Sequence, residues 1–125
     1  MAFVPKNTVS DVRQVDAWHL LALTQRGATA LFAVELGIDP VRAVDFDFSR
    51  FSAHNHWHGL AADARSLATH FVSTGLNVPV GELAVALGLQ KQVVSRLVHQ
   101  GEDLSDNRVA ARVIARVNQI YGIAG

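Results

Sequence analysis

The segment that most constrains the fold is residues 80–99, in which apolar residues recur at helical spacing on both sides of Gly88. This periodicity predicts two consecutive helices. Gly88 allows the positive φ that a tight turn between them requires. Ala84 is small enough for a close helix crossing, and Val94 and Leu97 are placed to anchor the second helix. The apolar underside of the pair is predicted to include Leu83, Leu87 and Leu89.

The pattern of residues 80–99 resembles the helix-turn-helix domains of small bacterial, plasmid and phage transcription regulators of the Cro and repressor kind. If the flanking helices belong to it, the resemblance extends over residues 60–120. In that family the start of the second helix enters the major groove of DNA. Carried over by position, the resemblance implies base contacts by Gln90, Lys91, Gln92, Ser95 and Arg96. Glutamine can pair with adenine, and arginine or lysine with guanine.

A ridge of arginines on the last predicted helix, from Ser105 to about Tyr121, could add contacts to the DNA backbone. It consists of Arg108, Arg112 and Arg116.

Two features of the sequence oppose DNA binding by residues 80–99. Gly81 inside the first helix costs about 1 kcal/mol against alanine, and the predicted loop after the second helix is acidic, with Glu102, Asp103 and Asp106. The alternative is a structural hairpin whose polar side chains are simply solvated.

The whole chain is predicted to be an all-α helical bundle, with two related three-helix units as a further hypothesis. Residues 1–8 are expected to form an arm, residues 9–58 an N-terminal unit, and residues 59–125 a C-terminal unit that holds the helix-turn-helix and the final helix. In the N-terminal unit, one helix is predicted from Ser10 to Arg26, ended by Gly27. A second runs from Thr29 to Leu36, and Asp39 followed by Pro40 begins a third.

A weak internal repeat supports the hypothesis of two units. Residues 33–38 (AVELGI) resemble residues 84–89 (AVALGL), and Ala33 and Gly37 correspond to Ala84 and Gly88. The groove face of this first copy would carry Asp39, Pro40, Val41 and Val44 and would run into Asp45 and Asp47, whose carboxylates would repel phosphate. We therefore expect a scaffolding or dimerisation role for it, and the alternative is a helical corner unrelated to the second copy.

Residues 44–58 depart from the helical period and form either a short β-hairpin or an irregular loop. Val44, Phe46 and Phe48 alternate with polar residues. His54, His56 and His58 also alternate, and their imidazole groups make a metal site a further hypothesis for this segment. The aromatic residues of this segment either form a partner surface or fill the space between the two units.

Charge and composition narrow the classes of function. Eleven basic residues balance eleven acidic ones, which argues against strong non-specific binding to polyanions. The chain has no cysteine, which excludes a disulfide scaffold and a cysteine nucleophile. The usual catalytic motifs are absent, so we expect neither an enzyme nor a cofactor. The sequence shows neither the pattern of a signal peptide nor an apolar run long enough to span a membrane, so we expect a cytoplasmic protein.

The sequence therefore favours a sequence-specific transcriptional regulator that binds double-stranded DNA as a homodimer. The candidate dimer faces are the aromatic segment 44–57 and the apolar side of the last helix, with Val109, Val113, Val117, Ile120 and Tyr121. The alternative is a protein–protein interaction module without DNA binding, such as an antitoxin, an adaptor or a phage inhibitor. A small metal-dependent enzyme centred on residues 45–58 is the third hypothesis.

Overall fold

The computed structural model describes the backbone of residues 6–122 and the side chains of residues 17–107 and 111–122. Its helices are α1 (Lys6–Glu35), α2 (Pro40–Val44), α3 (His56–His70), α4 (Val80–Leu87), α5 (Lys91–Ser105) and α6 (Arg108–Tyr121). A 3-10 turn (Phe48–Arg50) precedes α3 and a π-helical turn (Phe71–Gly75) follows it. Residues 6–122 contain no strand, and the prediction of an all-α bundle is confirmed.

Helix α1 runs without interruption through Gly27, so the prediction of two helices separated at that residue is wrong. Gly27 does not adopt a positive φ, unlike Gly37 and Gly88. Ala28 and Phe32, on the following turns, are fully buried. Burial of this continuous face offsets the roughly 1 kcal/mol that a mid-helix glycine costs. Since α1 begins at Lys6, residues 6–8 of the predicted arm are helical, and residues 1–5 lie outside the described chain.

The core contains residues from both sides of the predicted boundary at residue 58. Phe32 of α1 lies edge-to-face on Phe71, with ring centroids 6.2 Å apart. Leu67 of α3 and Leu83 of α4 are buried in the same cluster. Val94 of α5 and Val117 of α6 also belong to it. Helix α1 contacts α3, α4 and α6, whereas α5 packs on α3 and α4.

Residues 45–55 form an irregular connection between α2 and α3, and the alternative of a β-hairpin for residues 44–58 is wrong. Asp47 accepts a hydrogen bond from the Ser49 backbone N–H (3.0 Å) and caps the 3-10 turn. Asn55 accepts one from the His58 backbone N–H (3.1 Å) and caps α3. These side chains bind backbone donors that a strand ladder would need, which explains why alternation did not produce strands.

The aromatic residues of this segment pack mainly inside the protein. Phe46 contacts Phe48 and Trp57, with ring centroids 4.8 and 5.4 Å apart, and all three pack against the core. The Arg42 guanidinium lies 3.9 Å from the centre of the Trp57 ring. The cluster therefore fills the space between α2 and α3 rather than forming a free partner surface. Phe51, with 43% of its surface exposed, is the exception.

Helix α5 continues past Gly101 to Ser105, and the prediction that Gly101 ends it is wrong. Gly101 is buried where α5 crosses α3, and a Cβ added to it would overlap the Ser66 carbonyl oxygen and the His70 Cβ. The Ser66 hydroxyl donates to the Gln100 side-chain oxygen at 3.3 Å beside this crossing. Gly101 thus permits a close helix crossing rather than a helix end.

His70, beside this crossing, is expected to make the free energy of unfolding depend on pH. Burial lowers the pKa of His70, and attraction to Glu102 partly opposes that shift. A lowered folded-state pKa gives stability that is present above the unfolded-state pKa of about 6.5 and is lost as the pH falls below it. Between about pH 7.5 and 5.5, the free energy of unfolding should therefore fall more in the native chain than in a His70→Gln variant.

Urea denaturation at several pH values measures this difference. The matched control is His54→Gln, because His54 is exposed in the loop before α3. Equal loss of stability in the native chain and in His70→Gln would show that His70 does not contribute.

Candidate nucleic-acid interface

A tight glycine turn joins α4 to α5. Gly88 has φ 66° and ψ 31°, in the left-handed region. The Leu89 N–H donates to the Ala84 carbonyl (3.0 Å) and the Gly88 N–H to the Val85 carbonyl (3.2 Å), the two bonds of a Schellman motif. Gln90 then adopts an extended conformation (φ −70°, ψ 146°) and α5 begins at Lys91. The turn that was predicted at Gly88 is confirmed.

The inner face of this helix pair agrees with the anchor positions read from the sequence. Leu83, Ala84, Val94 and Leu97 are all buried in the structure. Leu87 is half-buried. Leu89 is 37% exposed, so the prediction that it lies on the apolar underside is wrong. Helix α5 contacts α4 on one side and α3 along much of its length, so its outer face is held in a defined orientation.

Four of the five residues predicted to contact bases lie in the N-terminal half of α5, and the fifth, Gln90, is its N-cap residue. Gln90, Lys91, Gln92 and Arg96 are exposed, and Ser95 is half-buried. Neither Lys91 nor Arg96 forms an ion pair with another residue in the described part of the chain. The Gln90 side chain makes no capping hydrogen bond to the start of α5. These donors and acceptors are available to a ligand that approaches the N-terminal half of the helix.

The charge on α5 changes sign along its length. Glu102 and Asp103 were predicted in a loop but lie in the last turns of the helix, and both are exposed. Glu102 is about 16 Å along the axis from Lys91. The His99 Nδ1 lies 3.9 Å from the Glu102 Oε2 where the two halves meet. A polyanion would therefore be attracted to the first half of α5 and repelled from its C-terminal end.

The predicted arginine ridge on α6 is only partly available. Arg112 is exposed and forms no ion pair with a described residue. The Arg116 Nε lies 3.7 Å from the Glu35 Oε1, so this guanidinium is bound to α1. The Arg108 side chain lies outside the described residues. Helix α6 begins at Arg108, not at the predicted Ser105, which is the last residue of α5.

The first copy of the repeat reproduces the turn but not the following helix. Gly37 has φ 81°, and the N–H groups of Gly37 and Ile38 donate to the carbonyls of Val34 and Ala33, each at 3.0 Å. Asp39 is the N-cap residue of α2, the position that Gln90 holds in α5. However, α2 has only 5 residues. It therefore offers no helix long enough to lie along a groove.

The three alternating histidines do not share a face. His54 lies in the loop, His56 begins α3, and the His58 Nδ1 accepts a hydrogen bond from the Ser52 N–H at 3.0 Å. The His58 ring also lies 4.6 Å from the Phe46 ring, measured between centroids. Within the described residues, no three His, Asp or Glu side chains are placed to hold a metal ion. The hypothesis of a metal site at residues 45–58 thus gains no support.

The predicted dimer face on α6 is partly used within the chain. Val113 and Val117 are buried in the core, whereas Ile120 and Tyr121 are exposed and the Val109 side chain lies outside the described residues. The exposed apolar residues on α1 were not predicted. They include Leu20, Leu23 and Val34, and their spacing in the sequence is the signal that could have revealed them.

In the part of the chain that is described, no helix combines the length and the apolar character needed to cross a membrane. Comparison of the chain with known protein families, with curated protein sequences and with solved structures finds no match.

Proposed function

We propose that this protein is a non-catalytic, sequence-specific DNA-binding regulator that places the N-terminal half of α5 in the major groove. The observation that carries the proposal is the exposure of Gln92 and Arg96 on one side of α5, while Val94 and Leu97 are buried on the other. A rigid helix with anchored apolar residues and free polar residues is the arrangement that direct readout of bases requires.

The chemistry of the exposed side chains suits base edges better than it suits phosphate alone. Gln90 and Gln92 can each pair with adenine through two hydrogen bonds, and Arg96 and Lys91 can pair with guanine. The acidic end of α5, with Glu102 and Asp103, would lie outside the groove. Because the net charge of the chain is zero, phosphate contacts are expected to be few and the dependence of affinity on salt modest.

Selection of bound sequences from a random duplex pool at two salt concentrations tests this proposal. A regulator should enrich a defined half-site at both concentrations, and a homodimer should enrich it as a palindrome. No enrichment, with binding that disappears at moderate salt, would contradict the proposal. That outcome would favour the alternative, an interaction module that binds a protein, for which the exposed apolar face of α1 is the relevant observation.

Arg112→Ala should weaken DNA binding equally for all sequences, because an arginine that contacts phosphate carries no sequence information. We expect the slope of log affinity against log salt to flatten by about one, measured by fluorescence anisotropy over a salt series. Arg50→Ala is the matched control, since Arg50 is an exposed arginine on the 3-10 turn and belongs to neither α5 nor α6. A change of sequence preference in Arg112→Ala would contradict a phosphate contact.

A further inference from the structure

Helix α1 has a second apolar face, opposite the one that packs in the core. We call the set of Leu20, Leu23, Gly27, Ala30 and Val34 the α1 face. Leu20, Leu23 and Val34 are 64%, 56% and 54% exposed. Their successive spacings of three, four, three and four residues are those of the a and d positions of a coiled coil.

We propose that the α1 face binds the same face of a second copy of this chain, with the two α1 helices antiparallel and the two-fold axis close to Gly27. The interface itself does not require DNA binding. Its consequence, two copies of α5 presented to a palindrome, rests on the proposed function.

The α1 face lies next to a groove that a leucine side chain could enter. The groove has a volume of about 360 Å³ and is lined by Ala30, Val41 and Val44, among others. Val41 is 69% exposed. Arg26 and Asp45 also line it, and the Arg26 Nη2 lies 3.2 Å from the Asp45 Oδ1. The face thus presents protruding leucines at one end and a recess near its middle, beside Ala30.

One antiparallel register places a leucine of each copy beside the recess of the other. With the axis near Gly27, Leu20 lies opposite Val34 of the second copy and Leu23 lies opposite its Ala30, which lines the recess. A two-fold interface must be self-complementary, and this register pairs the α1 face with itself. Gly27 at the axis has no side chain, and the Tyr121 hydroxyl lies beside it, 3.9 Å from the position that a Cβ would take.

The exposed area is appropriate for a stable dimer. The four large residues Leu20, Leu23, Val34 and Val41 together expose on the order of 400 Å². A standard interface buries about 800 Å² per partner, of which about two thirds is apolar in homodimers. These residues would supply most of that apolar area.

Light scattering coupled to size-exclusion chromatography over a dilution series tests the proposal. The native chain should be dimeric, and a Leu20→Glu/Leu23→Glu variant should dissociate at concentrations roughly a hundredfold higher or more, because each charge would be buried without a partner. The matched control is Val85→Glu, since Val85 is 58% exposed on α4, outside the α1 face. Circular dichroism should show that all three fold alike.

Disulfide cross-linking tests the register, since the native chain contains no cysteine. A Leu20→Cys/Val34→Cys double variant should form a covalent dimer on oxidation, as should a mixture of the two single variants. Leu20→Cys alone should not, because two antiparallel copies would hold that position about 21 Å apart, beyond the reach of a disulfide. Cross-linking of Leu20→Cys with itself would indicate parallel helices and would overturn the proposed register.

The outcomes separate the interface from DNA binding. A monomeric native chain, or a glutamate variant that stays dimeric, would overturn the interface even if selection enriches a half-site. A dimer that the glutamate variant disrupts would support the interface even if no DNA sequence is enriched. If both proposals hold, the glutamate variant should bind single half-sites but lose its preference for the palindrome.

Discussion

Replacing Gly101 with alanine is expected to lower the free energy of unfolding by about 3 kcal/mol, because the added methyl group would overpack a close helix crossing. The added Cβ would overlap the Ser66 carbonyl oxygen and the His70 Cβ, so α3 and α5 would have to separate. The Ser66–Gln100 hydrogen bond lies at the same crossing and would be strained. Chemical denaturation of the purified variant measures the effect.

Gly81→Ala provides the matched control. Gly81 also lies inside a helix, α4, but a Cβ added to it would meet no atom within 4 Å. Alanine should therefore raise the free energy of unfolding by up to about 1 kcal/mol, through helix propensity alone. Opposite signs for the two substitutions would establish the close crossing. If Gly101→Ala were as stable as the native chain, α5 could not pack on α3 as described.

The Gln92→Ala/Arg96→Ala double variant is expected to lose sequence-specific DNA binding by about a hundredfold or more. Each side chain can make a two-bond contact to a base that is worth about 1–3 kcal/mol, and a tenfold change in affinity corresponds to about 1.4 kcal/mol. Both side chains are exposed, so the fold should be unchanged. Anisotropy titration of the selected site and of a scrambled duplex measures specific and non-specific affinity separately.

Glu102→Gln is the control for this experiment, because Glu102 is exposed on the same helix but at its acidic end. It should leave the preferred sequence unchanged. Retention of the native sequence preference by the double variant would show that the N-terminal half of α5 does not contact bases.

The glycines show how far the sequence could be interpreted on its own. Gly37 and Gly88 end helices as predicted, with φ values of 81° and 66°. After Gly37, Asp39 and Pro40 begin the next helix. Gly27 and Gly101 were also predicted to end helices, yet both lie within them. The sequence on either side did not distinguish the two cases, because the difference comes from whether a buried face continues past the glycine.

The candidate site could be predicted in its local part. The turn at Gly88, the buried anchors Val94 and Leu97 and the exposed polar residues that follow Gly88 all depend on neighbours within one or two helical turns. The position of Arg116 could not be predicted, because its partner Glu35 is on α1, far away in the sequence. The burial of Val113 and Val117 of α6 could not be predicted either, because it depends on packing against distant segments.

By itself, the sequence determined the all-α class, the tight turn between α4 and α5, and the side of α5 that is polar, since helical period, capping and left-handed glycine are local properties. Only the tertiary structure decided that α1 is one continuous helix and that α5 crosses α3 at Gly101. It also decided which apolar stripes remain exposed. These features depend on packing between segments distant in the chain, where the free energy of burial outweighs local preference.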